Sequence, residues 1–146
     1  MDAYDPNEAP PVQSWLDLDE KQRIQLALRA HRGKFPDALH QEGANEMVHC
    51  SLHAIAETQI ASQDPPETAQ ALRRLMGAGL ERHAAIHAVM LVLLEHLSSL
   101  LSKEERFDRS AYAAALAELT PVDAVDVPRN RAQRRRSRRK HGRRKR

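Results

Sequence analysis

A chain of 146 residues is long enough for one domain with a single core. Its net charge of +3 conceals two unlike parts: all 20 Asp and Glu precede Pro128 with 11 of the 23 Lys and Arg, so the body stands near −9, and the other 12 positive charges fall in residues 129–146. A single cysteine, Cys50, excludes an internal disulfide framework and points to a reducing compartment, and the acidic, polar N-terminus carries no secretory leader, so a cytoplasmic setting is expected.

With aromatic residues at only 3%, the core must be built from Leu, Ile, Val, Ala and Met, which suits helices. Residues 1–14, with Pro6, Pro10 and Pro11, read as a flexible lead-in. A first helix is predicted from about Asp19, where Asp19 and Gln22 have capping-box spacing and Ile24, Ala27, Leu28 and His31 share a face; Gly33 and Pro36 end it. A second helix covers about residues 45–62, with Val48, Leu52 and Ile55 on one stripe. Asp64-Pro65-Pro66-Glu67 then starts a third, with Asp64 as cap, carrying Leu72, Leu75 and Met76 to a stop at Gly77-Ala78-Gly79.

The fourth helix, about residues 80–101, is the most apolar, but His87, Glu95 and His96 interrupt it and leave it too short and too polar to span a bilayer. Its near-all-round apolarity leaves room for a homodimer contact. A fifth helix covers about residues 109–119, capped by Asp108 and closed before Pro121. Residues 121–128 are a linker. No strand pattern and no internal repeat occur, so the expected fold is all-α, an antiparallel helical bundle of about five helices over residues 15–120 with a disordered basic C-terminal tail.

Histidines concentrate on two of these helices. His49, His53 and Glu57 recur at steps of four on the second, and His83 and His87 on the fourth, a spacing that stacks side chains on one helix face. His83 and His87 occupy the middle of the stripe that carries Met90, Leu94, Leu97 and Leu101, so they face the core; His49, His53 and Glu57 border the stripe of the second helix. Short links around the third helix make the second and fourth parallel. At about 1.5 Å rise per residue, His53 then faces His83 about 15 Å from the Asp64 turn, Glu57 faces His87 about 9 Å from it, and His49 lies one turn beyond.

Imidazoles and a carboxylate that project inward from bundle helices are what a transition metal needs. His53, Glu57, His83, His87 and His49 are therefore the candidate metal ligands, with zinc or iron as the ion. A structural hydrogen-bond network or a proton-linked switch would use the same groups.

Residues 48–61, VHCSLHAIAETQIA, followed by Asp64-Pro65-Pro66 and then Arg82-His83-Ala84-Ala85-Ile86-His87-Ala88, resemble a bacterial family of uncharacterised helical proteins, domain of unknown function 1841. The resemblance covers about residues 45–119 and rests on the paired HxxxH spacing, the E-x-Q step and the DPP turn. It implies the bundle and a bacterial, cytoplasmic setting; it brings no activity, and the family pattern has no counterpart to the basic tail. HxxxE followed by HxxxH also resembles the di-iron hemerythrin-like bundles. Those need a further His, for which His31 or His40 would stand, and a later Asp that this chain does not supply.

Other chemistry is weakly represented. Cys50 points away from the apolar stripe and has no neighbouring base in sequence, Glu95 and His96 turn away from His83, and the chain has no Gly-rich phosphate loop, HExxH motif or Ser elbow.

The tail carries Arg129, Arg131, Arg134, Arg135, Arg136, Arg138, Arg139, Lys140, Arg143, Arg144, Lys145 and Arg146, with no large apolar side chain. Self-repulsion keeps such a segment disordered, and its arginines favour bidentate phosphate contacts, so RNA or DNA is the expected partner. Without aromatic residues it offers no stacking platform for base readout. An anionic membrane surface ranks second, because no apolar face accompanies the charge. The acidic body of the same chain competes as a tethered polyanion. Three functions fit: a metal-binding bundle held near RNA or DNA, a metalloenzyme with an open His/Glu-coordinated metal, or a metal-independent structural adaptor.

Overall fold

The computed structural model describes residues 1–32, 46–103 and 106–121; the Gly33 and Pro36 stop, His40, most of the linker and the whole basic tail lie outside the described residues. Six helices are found there: α1 (Val12–Leu16), α2 (Glu20–His31), α3 (Glu46–Ser62), α4 (Pro66–Gly77), α5 (Arg82–Lys103) and α6 (Arg109–Glu118). No strand occurs among the described residues, and the all-α bundle expectation holds with one helix more than expected.

The extra helix belongs to the segment that proline content marks as a flexible lead-in. It is held by packing rather than propensity. Trp15 is fully buried and its Nε1 donates to Thr58 Oγ1 at 3.1 Å, while Tyr4 and Pro6 are buried beside it. Arg23 reaches back from α2 to close α1, its Nε donating to the Trp15 carbonyl (3.0 Å) and its Nη2 to that of Leu16 (2.9 Å). A cation at the end of a helix satisfies carbonyls that have no partner within it.

Two helix starts follow the sequence reading. Asp19 and Gln22 make the reciprocal capping box, at 2.7 and 2.9 Å, and Asp108 accepts from the Ala111 N–H at 3.0 Å. The third differs. Asp64 does not cap α4; Pro65 holds the N-cap position, and the Asp64 carboxylate accepts from Arg109 on the surface. At the other end of α4, Gly79 takes φ +100°, a conformation that glycine adopts without a Cβ clash.

Helix α3 packs against α1, α2, α4 and α5 and divides the interior in two. On one side Cys50 joins Tyr4, Trp15, Leu26, Ala27 and Ala30. On the other, Leu52 and Ala56 join Leu72, Leu75, Ile86, Val89, Leu93, Tyr112 and Leu116. Both flanks of α3 are therefore apolar, and the single stripe expected from Val48, Leu52 and Ile55 does not form: Val48 is 47% exposed. Helix α6 is fastened by Arg74 Nη2, which donates to the carbonyls of Leu116 (2.8 Å) and Leu119 (3.0 Å), and by Gln59 Oε1, which accepts from both Tyr112 (2.8 Å) and Thr68 (3.0 Å).

Because α5 runs on to Lys103, it is by length and composition apolar enough to cross a membrane, contrary to the shorter stretch read from sequence. Its first half instead lies inside the bundle, where Ala85, Ile86, Val89 and Met90 are buried.

Replacing Trp15 by Ala should cost about 3–5 kcal/mol, read from urea unfolding, because a filled core position becomes a cavity. Cys50 is fully enclosed, and burial, then the Glu46 carboxylate, pushes its thiol up to about 11. It should resist Ellman's reagent in the native protein and release one equivalent once urea unfolds the chain.

Candidate metal centre

Between the two apolar clusters lie five imidazoles from three helices. His31 ends α2, His49 and His53 sit one turn apart on α3, and His83 and His87 one turn apart on α5. All five are buried, His53 completely. Their ring nitrogens converge: His53 Nε2 lies 3.1 Å from His31 Nε2, 3.2 Å from His83 Nε2 and 3.0 Å from His87 Nε2, and His31 Nε2 lies 3.2 Å from His83 Nε2. One ring nitrogen from each of His31, His49, His53 and His87 lies within 4.8 Å of those of the other three, a group that does not include His83.

The outer nitrogens decide what the inner ones carry. His31 Nδ1 stands 2.7 Å from the Ala27 carbonyl, which only accepts, so Nδ1 holds the proton and Nε2 presents a lone pair. The Tyr4 hydroxyl donates to Glu57 Oε1 at 2.6 Å. Its oxygen can then only accept from His53 Nδ1, 3.4 Å away, which leaves His53 Nε2 with its lone pair as well. Burial, followed by the surrounding imidazoles of His31, His87, His49 and His83, holds His53 well below the ordinary imidazole value, so it is neutral at pH 7. A cation shared between the two nitrogens, 3.1 Å apart, would satisfy both.

Glu57 does not join the imidazoles. Both its oxygens accept from Arg82, Nη1 to Oε1 and Nη2 to Oε2, each at 2.7 Å, and Arg82 Nη1 also donates to the Pro6 carbonyl at 2.9 Å. The pair is 5% and 1% exposed. Burial first, then the Glu57 carboxylate, raises the Tyr4 hydroxyl well above the usual phenol range, which keeps it a neutral donor. Glu57, expected as a ligand, is thus an outer partner that orients His53 through Tyr4, a role often filled by carboxylates behind metal-bound histidines.

The sense in which α3 and α5 meet also differs from the expected parallel register. Glu57 lies against Arg82, His53 against His83 and His87, and His49 against His87, so contacts run in opposite order along the two helices. Short links limit how far apart helix ends lie; they do not set the angle at which α4 leaves the turn. The meeting of His53 with His83 survives because it sits near the crossing point, whereas Glu57 with His87 does not.

His31 is the ligand candidate that spacing on two helices left aside. Its only signal was its place on the Ile24–Ala27–Leu28 face, and the hemerythrin-like resemblance had named it for a different arrangement. Tyr4 and Arg82 carried no signal that tied them to the cluster.

Neighbouring nitrogens bound at about 2.0–2.1 Å to one ion stand about 2.9–3.4 Å apart, which brackets the separations found here. The described cluster offers nitrogen alone, which suits zinc, iron, copper, nickel or cobalt and disfavours calcium and magnesium. His53 Nε2 meets three other ring nitrogens, while a ring nitrogen has one proton or one lone pair to offer them.

A family model described as Domain of unknown function (DUF1841) matches residues 24–118, which span α2 to α6 and hold all five histidines. No curated protein and no solved structure matches the chain.

Arg82→Met should cost about 3–5 kcal/mol in urea unfolding by stranding the Glu57 charge, and Arg82→Met with Glu57→Leu should recover much of that loss.

Proposed function

The chain belongs to the family described as Domain of unknown function (DUF1841), and we propose that its five-histidine centre binds one transition-metal ion, zinc or iron. The observation that carries this reading is the convergence of one ring nitrogen from each of His31, His49, His53 and His87 to within 4.8 Å of one another, with all four residues buried. An ion there would be shared by His31, His49, His53 and His87, with His83 Nε2 3.2 Å from His53 Nε2 beside them. Glu57 and Tyr4 act behind His53, and Arg82 keeps the carboxylate from competing as a ligand.

Elemental analysis of tag-free protein tests the reading: one equivalent of transition metal is expected, with thermal stability that falls when a chelator strips it. His53→Ala together with His83→Ala should abolish uptake. Uptake that persists in that double variant, or wild-type protein without metal-binding capacity, sinks the reading. Tyr4→Phe should retain the ion with affinity weakened about 10–100-fold, the usual cost of removing an outer partner.

For the tail we propose binding to RNA or DNA through phosphates, supported by its 12 positive charges in 18 residues. The acidic body competes for the same arm at low salt. Truncation after Pro128 should abolish polynucleotide binding, and the full chain should lose affinity steeply as salt rises; a flat salt dependence counts against it.

A further inference from the structure

The N-terminal segment, residues 1–18, is fixed to the bundle by individual side chains, and one of them ends on the histidine centre. Trp15 Nε1 donates to Thr58 Oγ1 on α3, and Arg23 of α2 holds the carbonyls of Trp15 and Leu16. Arg82, at the start of α5, donates from Nη1 to the Pro6 carbonyl. Tyr4 is the inner end. Its hydroxyl lies 2.6 Å from Glu57 Oε1 and 3.4 Å from His53 Nδ1, and its ring meets the His53 ring edge-on with centroids 6.4 Å apart. Asp2, Asp5, Glu8 and Asp17 are exposed, and it is the buried Tyr4, Pro6 and Trp15 that carry the segment inward. A segment with few buried side chains and one short helix belongs to the low end of local stability, so a modest free energy decides whether it lies down or lifts.

The histidine end of this segment answers to the ion. Two tautomers are open to a neutral His53. With the proton on Nδ1, the ring donates to the Tyr4 oxygen while Tyr4 donates to Glu57, and the three groups support one another. With the proton on Nε2, Nδ1 becomes an acceptor that competes with Glu57 for the Tyr4 proton. An ion bound at Nε2 leaves only the first tautomer. By drawing electron density from the ring, it also makes Nδ1–H the stronger donor. From there the effect runs through Glu57 to Arg82, whose Nη1 holds both Glu57 Oε1 and the Pro6 carbonyl.

We infer that residues 1–18 form a strap whose closure is coupled, through Tyr4, to the ion at His53. On the metal-binding reading given above, metal uptake tightens the strap and a lifted strap weakens the hold on the metal. Coupling between two sites is reciprocal, so each effect implies the other.

The test follows amide hydrogen exchange of the full-length protein by mass spectrometry, stripped by a chelator and then loaded with one equivalent of zinc, or of iron(II) should zinc not bind. Residues 12–18, where the Trp15, Asp17 and Leu18 amides donate to carbonyls within the segment, report strap closure. Their exchange should slow by about 5–150-fold on loading, the usual span of a coupling between sites, and saturate at one equivalent. Helix α4, which holds none of the five histidines, should slow less. Tyr4→Phe keeps the ring and removes the hydroxyl; it should still load one equivalent and lose most of the slowing in residues 12–18. Bound metal with unchanged exchange in residues 12–18, or with equal slowing in α4, overturns the strap while leaving metal binding intact. Full slowing in loaded Tyr4→Phe overturns the coupling through Tyr4. The wild-type comparison decides by itself should that variant not fold. Failure of the wild type to take up zinc or iron overturns both this inference and the reading beneath it.

Discussion

The bundle is organised around five imidazoles held in a dry seam between two apolar clusters. Polar groups buried in such a place must bond one another or a cation, because one left unsatisfied would cost about 1–3 kcal/mol. A cation is the simplest agent that satisfies several lone pairs at once. Helix α3 bears the consequence most directly, since it supplies His49 and His53 while offering apolar flanks to both clusters.

Around the imidazoles lies a second layer that decides their protonation. The Ala27 carbonyl does this for His31, and the chain from Arg82 through Glu57 and Tyr4 does it for His53. The same chain ties the N-terminal segment to the start of α5, because Arg82 also binds the Pro6 carbonyl. Local polar order and global closure are thus one feature: residues that lack helical propensity are fixed because they complete a buried network. Keeping the carboxylate outside the inner set has a chemical effect as well, since ring nitrogens alone would suit nitrogen-seeking ions.

The body and tail follow opposite electrostatic rules. In the body, the buried charges of Glu57 and Arg82 are paired with each other. In residues 129–146 charge is concentrated in one sign, and its proposed role depends on salt and on competing polyanions rather than on any contact within the fold. The family match ends at residue 118, so the metal reading concerns the shared domain and the polyanion reading concerns a segment beyond it.

What the sequence determined by itself was local: an all-α chain, caps at Asp19 and Asp108, and histidines spaced to share a helix face. Each follows from i to i+4 geometry or from a side chain bonding its own backbone, which needs no distant partner. Tertiary structure decided what those groups meet. The angle between helices set His49 against His87 and Glu57 against Arg82, a choice that spacing cannot encode. His31 entered because α2 packs on α3, and Tyr4 because Trp15 anchors a segment whose prolines alone read as loose. Which nitrogen holds a proton and which a lone pair was settled last, by atoms that can be 49 residues away in the chain, because tautomers answer to contacts rather than to composition.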